Sequence, residues 1–135
     1  MRARWFWLVI LAVFSSSALC DAVGDELDNR LVGSADFDVF YGGEGADTFV
    51  VDQLSERPDW ILDFQPEQGD LIEIAAANLG LNAVNPSQFK LNSRGVLTLK
   101  VGAADIPLVD IRSGEFKFKI DSRKGRYFLK FDRKL

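Results

Sequence analysis

Apolar residues are distributed in three different ways along the chain. Trp5 to Phe14 form an unbroken apolar run behind the basic head Met1-Arg2-Ala3-Arg4. From Gly24 to Val50, large apolar side chains return every ninth residue, at Leu31, Phe40 and Phe49, among glycines and acids. Past Ile74 the pattern becomes the two-residue alternation of half-buried strands. Ala75 to Leu79 predicts a short helix ended by Gly80. Phe89 to Asn92 and Val96 to Val101, joined by Ser93-Arg94-Gly95, predict a hairpin. Ile106 to Ile111 predicts another strand. Phe116-Lys117-Phe118-Lys119-Ile120 alternates strictly, so its phenylalanines face a core and its lysines face water. Tyr127 to Phe131 repeats that scheme after a turn at Gly125.

The apolar run near the start is too short for a bilayer. A spanning helix needs about 20 apolar residues, and this run is half that. A basic head, an apolar centre and the small-residue stretch Ser15 to Cys20 together describe an export signal over residues 1–20. Cleavage after Cys20, with Ala18 three positions upstream, is the preferred point, and cleavage after Ala22 is the alternative. An uncleaved anchor, a lipidated Cys20 behind the poorly suited Leu19, and a core helix are the other readings. After removal of the signal, no stable membrane insertion is expected. The product is expected to be secreted or extracellular, with the periplasm as an alternative. A chain cut after Cys20 holds no cysteine, so disulfides cannot brace it.

Composition narrows the chemistry further. The 135 residues fit one domain and include no histidine at all. Serine–histidine triads, histidine general bases and His-ligated zinc are therefore excluded, including the His-Glu-x-x-His helix of zinc peptidases. No G-x-S-x-G elbow is present. Acidic residues are plentiful enough that carboxylate-only glycan chemistry stays open on composition. Net charge is −4, which does not fit a nucleic-acid binder. That figure hides a strong asymmetry. Residues 21–74 carry 15 acidic and 2 basic side chains, net −13, whereas residues 112–135 carry 9 basic and 3 acidic, net +6. A compact segment with that much like charge repels itself unless something neutralises it. A solvated acidic face balanced by the basic tail is one solution, and bound divalent cations are the other. Arg123, Lys124, Arg126, Arg133 and Lys134 can likewise form a solvated face or bind anionic polysaccharide or cell-surface material.

The nine-residue beat favours cations. Its units are Gly24 to Val32, Gly33 to Tyr41 and Gly42 to Val50. Each opens with glycine, places Asn29, Asp38 or Asp47 sixth, and places a large apolar residue eighth. The first six residues of such a unit suit a tight turn, because glycine reaches backbone angles that other residues resist. A turn of this kind directs carbonyl oxygens inward, and the sixth-place side chain adds another oxygen. Calcium takes six to eight oxygens at about 2.3–2.6 Å. Gly42-Gly43-Glu44-Gly45-Ala46-Asp47-Thr48-Phe49-Val50 fits the repeat G-G-x-G-x-D-x-U-x at every defined place. An acidic series of β-turns without metal is the bland alternative.

Over about residues 24–74 the sequence resembles the RTX, or haemolysin-type calcium-binding, family. The resemblance implies an all-β fold, a short parallel β-roll whose turns alternate between two sides, with Ca2+ held between same-side turns. One ion is expected between turns 24–29 and 42–47, on the carbonyls of Gly43 and Gly45 and the carboxylate of Asp47, with Asn29 facing it. Asp38 belongs to the opposite side, where Asp52 is the nearest candidate partner. Leu27 and Asp36 depart from the third glycine, Asp25 and Ser34 from the second, and Asn29 from the aspartate, so one good site is expected rather than two. Asp59-Trp60-Ile61-Leu62-Asp63-Phe64 and Gly69-Asp70-Leu71-Ile72-Glu73-Ile74 resemble the segment that caps the roll in secreted RTX peptidases. Asp63 and Asp70 are there either further calcium ligands or turn-stabilising carboxylates. The expected organisation is repeats over 24–50, a cap segment over 51–74 and an antiparallel β extension over 75–135, all within one domain from 21 to 135. The expected function is non-enzymatic: an exported protein that binds calcium and folds on binding. A calcium-dependent adhesion or polysaccharide-binding module, or an accessory module related to secreted hydrolases, is the alternative.

Overall fold

The computed structural model describes residues 22–54, 57–81 and 84–134. The expected signal and its cleavage after Cys20 lie outside the described residues. Within them, each short apolar stretch forms a strand and each glycine- and acid-rich stretch forms a turn. Strands β1 (Ala22–Val23), β2 (Arg30–Val32), β3 (Val39–Tyr41), β4 (Thr48–Val51), β5 (Asp59–Ile61) and β6 (Leu71–Ala75) follow one another along the coil. Odd and even members go to different sheets. β1, β3 and β5 pair in parallel in one, and β2, β4 and β6 in the other. Consecutive strands that never pair, joined by tight turns, define a parallel β-roll.

Two further groups of strands extend the sheets. β7 (Phe89–Leu91), β8 (Val96–Val101) and β9 (Ala104–Asp110) give the first sheet the order β1-β3-β5-β9-β8-β7. β10 (Phe116–Arg123) and β11 (Arg126–Arg133) give the second the order β10-β11-β6-β4-β2. The extension is antiparallel, as read from its alternation, except where β9 joins β5 in parallel through Asp59↔Val109. Strands β5 and β6 continue the roll as layers of the coil, and the edges they leave are covered by β9 and β11.

The helix expected over Ala75 to Leu79 does not form. Leu71 to Ile74 find ladder partners on both sides, on β4 and on β11, and the pairing of Ala75 with Arg126 of β11 draws Ala75 into the strand. Residues 76–80 make a hydrogen-bonded turn in which the Ala75 carbonyl accepts from the N–H groups of Asn78 and Leu79. Strand boundaries also move, and β10 and β11 run on to Arg123 and Arg133. β7 stops at Leu91 because Asn92 uses its Oδ1 to accept from the N–H groups of Arg94, Gly95 and Val96. β9 begins at Ala104, two residues earlier than the hydrophobic run.

The two sheets enclose one core. Leu31, Phe40 and Phe49 are buried in it, as their nine-residue spacing requires, together with Ile61, Phe64, Ile72 and Ile74. An aromatic row continues from the coil into the extension: Phe40 to Phe49 at 5.9 Å, Phe49 to Phe64 at 6.1 Å, Phe64 to Phe131 at 5.0 Å. Edge-to-face and tilted contacts of this kind add about 0.5–1.5 kcal/mol each beyond burial. A second tie crosses the outer surface. The carboxylate of Glu73, buried on β6, pairs with Arg30 of β2 at 2.9 Å and with Arg126 of β11. Among the described residues no helix is long and apolar enough to cross a membrane.

Phe49 lies at the middle of the aromatic row and is 1% exposed. Phe49→Ala should cost about 3–5 kcal/mol of stability. Urea denaturation of the calcium-loaded protein should show the lower midpoint, with the transitions of repeats and extension still coinciding.

Candidate metal centre

The roll sets the turns on its two sides. The turns at residues 24–29, 42–47 and 63–70 lead into β2, β4 and β6, so they stack on one side. The turn at 33–38 leads into β3 on the other, where β5 stacks next to it. The oxygen-bearing residue at the end of each turn makes the same contact along its stack. The N–H of Asn29 donates to Asp47 Oδ1 at 2.9 Å, and the N–H of Asp47 donates to Asp70 Oδ1 at 2.9 Å. On the opposite side the N–H of Asp38 donates to Asp59 Oδ1 at 2.9 Å. Parallel coils leave these main-chain donors without a strand partner, and the next turn's carboxylate supplies one.

Glycine is needed where successive turns touch. Gly43 and Gly45 have φ of 84° and 91°. A Cβ on Gly43 would lie 2.2 Å from the carbonyl oxygen of Asp25, and one on Gly45 would lie 2.7 Å from that of Leu27. The carbonyls of the first turn therefore face the second. A Cβ on Gly24 would meet both Asn29 Oδ1 at 2.2 Å and the carbonyl oxygen of Gly42 at 2.3 Å. Several acceptors thus crowd the space between turns 24–29 and 42–47.

Asp47 is the anionic group in this space. It is fully buried. Its Oδ1 accepts from Asn29, but its Oδ2 has no hydrogen-bond partner. A Cβ on Gly42 would lie 2.4 Å from that same Oδ2. Burial pushes the Asp47 carboxyl up from its ordinary 3.8 to about 7, and the charges of Asp70, Asp63 and Asp28 push in the same direction against the Asn29 hydrogen bond. Burial also raises Asp70, opposed by the N–H groups of Asp47 and Gln65. A buried carboxylate oxygen with no donor, close to three other acids, costs folding free energy until a cation meets it.

The other predicted residues are placed as follows. Both oxygens of Asp63 accept main-chain N–H groups, from Gly42 and from Gly43, each at 2.8 Å. Asp70 Oδ1 accepts from Asp47, and its Oδ2 accepts from Gln65 at 2.8 Å. These two carboxylates thus tie turns together. Asn29 Oδ1 accepts from the N–H of Asp25 at 2.8 Å, and its Nδ2 donates to Asp25 Oδ1 at 3.1 Å. Asp38 Oδ2 accepts from the N–H of Ser34. The ladder partner of Asp38 is Asp59, where Asp52 had been expected. Thr48 pairs with Leu71 and Val39 with Trp60, offsets of 23 and 21 against the 18 of two nonapeptides, because the later turns are longer. That slip hides Asp59, although Asp59-Trp60-Ile61 keeps the order of acid, any residue and apolar seen in Asp38-Val39-Phe40. Asp28, which the sequence offers as an extra carboxylate, accepts through its Oδ1 from the N–H of Ala46 at 2.8 Å.

Among the described residues, no three acidic side chains converge on one point. An ion here must take most of its ligands from carbonyl oxygens, a donor set that suits calcium and not a soft metal. The fold is a parallel β-roll with glycine-led, oxygen-rich turns. In agreement, the family profile described as RTX calcium-binding nonapeptide repeat (4 copies) matches residues 23–53, and this segment is a run of RTX repeats. No curated protein and no solved structure matches the chain.

Two outcomes follow from this geometry. An acid whose folded-state pKa is raised stabilises the fold while protonated, and that contribution is lost as pH climbs through about 7. Metal-free protein should therefore melt at a lower temperature at pH 8 than at pH 5.5, and saturating calcium should erase or reverse the difference. Gly43→Ala should destabilise the fold by about 1–3 kcal/mol, since alanine resists positive φ and its methyl meets the Asp25 carbonyl. Thermal melts in calcium would measure it.

Proposed function

We propose that the protein is an exported calcium-binding protein whose roll becomes ordered when it takes up Ca2+ outside the cytoplasm. The partnerless Asp47 Oδ2, buried beside carbonyl-lined turns, is the observation that carries this reading. Asp47 supplies the carboxylate. The carbonyls of Asp25 and Leu27, with Asn29 Oδ1, belong to turn 24–29, and those of Gly42, Gly43 and Gly45 belong to the turn of Asp47 itself. Asp63 and Asp70 hold the turns in position around the ion, and Asp38 with Asp59 does so on the opposite side. The repeats are a typically non-catalytic module, and the protein acts here through binding alone. Export follows from the basic head, apolar run and small-residue stretch of residues 1–20.

Calcium concentration and compartment agree with such a role. Extracellular calcium modules bind with Kd of about 10⁻⁴–10⁻³ M. An ion that binds only the folded chain adds RT ln(1 + [L]/Kd), which is about 1.4 kcal/mol at ten times Kd. For a marginally stable domain that increment moves a sizeable fraction of molecules into the folded state.

Native mass spectrometry of the exported protein, with calcium and with chelator, should show a processed terminus and at least one bound ion. Asp47→Asn removes the charge and keeps the shape. It should lower calcium affinity at least tenfold while raising the melting temperature of the metal-free protein. Unchanged calcium loading in that variant would place the ion elsewhere and refute the assignment.

A further inference from the structure

The basic residues near the C-terminus do not form one patch in the folded chain. Burial alternates along β10 and β11, with Phe116, Leu129 and Phe131 facing the core. Cross-strand partners share a face, so Lys117 with Asp132, Lys119 with Lys130, Asp121 with Phe128, and Arg123 with Arg126 all lie on the outer surface. Arg133 points the other way, to Glu67 and over the ring of Phe116. The outer surface of this hairpin thus presents five cations against two carboxylates, Asp121 and Asp132.

Its centre is unfavourable as it stands. Lys119 and Lys130 are directly opposed on neighbouring strands. Residues so placed have Cβ atoms about 4.5–5.5 Å apart, and like charges there destabilise a sheet. Lys130 reaches Asp121 at 3.7 Å, but both side chains are more than 60% exposed, so the pair is weak. Lys117 and Lys119 make no ion pair among the described residues. Arg126 is engaged by Glu73, and Arg123 stacks over Phe128 at 4.5 Å, leaving its N–H groups at the surface.

We infer that this face binds an extended acidic polysaccharide. Cations two residues apart on one strand are about 6.6 Å apart, and the two strands are about 4.8 Å apart. Lys117 and Lys119 along β10, with Lys130 across from Lys119, thus form a cluster of three cations, and Arg123 stands beyond Asp121 and Phe128, a spacing suited to a linear polymer with carboxylate or sulfate groups along its length. The surface offers little to other polyanions. No aromatic ring stands free to stack a nucleobase, since Phe128 is covered by Arg123. Its apolar side chain, Phe128, is half-buried and lies under Arg123, so it does not stand out to enter a lipid headgroup layer. This proposal is separate from calcium binding, because the face lies on the extension and shares no residue with the turns.

Affinity for heparin (sulfated), hyaluronate (carboxylated), uncharged dextran and a short DNA duplex, each at the same calcium concentration and 50 mM salt, tests it. The full chain should bind heparin or hyaluronate, bind dextran at least tenfold more weakly, and lose affinity as salt rises. Lys119→Ser with Lys130→Ser should weaken binding at least fivefold. Lys90→Ser with Lys100→Ser, which removes the same charge from the other sheet, should change it less than twofold. Relief of the opposed lysines should leave the melting temperature of the first double variant equal or higher. Equal losses in the two variants, tighter binding to DNA than to either acidic polysaccharide, or a lowered melting temperature for Lys119→Ser with Lys130→Ser would each overturn the proposal.

Discussion

The fold rests on a bond between side chain and main chain that repeats once per coil. A parallel roll leaves the N–H at the end of each turn without a ladder partner, and the carboxylate of the next same-side turn accepts from it. Asn29 to Asp47, Asp47 to Asp70 and Asp38 to Asp59 all use this contact at 2.9 Å. The arrangement satisfies the main chain but concentrates negative charge along the stacked turns. Asp47 bears the consequence most sharply, because it is buried, adjacent to other acids, and has one oxygen without a donor. Structure and charge therefore make opposing demands at a single residue, which the calcium ion proposed between the turns would reconcile.

The extension bears on this balance through the core and through the sheets. β11 pairs with β6, whose position is fixed by Asp70, and β9 pairs with β5, which begins at Asp59. The phenylalanine row runs from Phe40 to Phe131 without a break between repeats and extension. Glu73 meets Arg30 and Arg126 at the same time, linking the first repeat with the last strand. A chain of this size with few repeats gains much of its buried area from such continuity. The covered edges also remove the unpaired strands that make a bare roll prone to association.

Charge is arranged with the same economy. The acidic excess of residues 21–74 lies largely in the turns, and the basic excess of residues 112–135 is divided between two faces of one hairpin. Arg126 and Arg133 are drawn into pairs with Glu73 and Glu67. The lysines of the outer face are left with weak partners or none.

The sequence alone determined the repeat and its chemistry. Three glycine-led units with an oxygen at the sixth place and an apolar residue at the eighth dictate turn, turn-end oxygen and inward side chain, because each requirement is local. Leu31, Phe40 and Phe49 were legible as core for that reason, and Asp47 as the acid of the best-formed turn. Tertiary structure decided what depended on register. Lengthened turns shifted the period from 18 to 21 and 23, which set Asp59 rather than Asp52, the nearest acid along the chain, against Asp38, and β5 and β6 became layers of the coil. Ala75 joined a strand because Arg126 of β11 pairs with it, a non-local partner that local helical preference cannot express. The opposed pair of Lys119 and Lys130 was hidden likewise, since only the folded hairpin brings residues 11 positions apart to face each other.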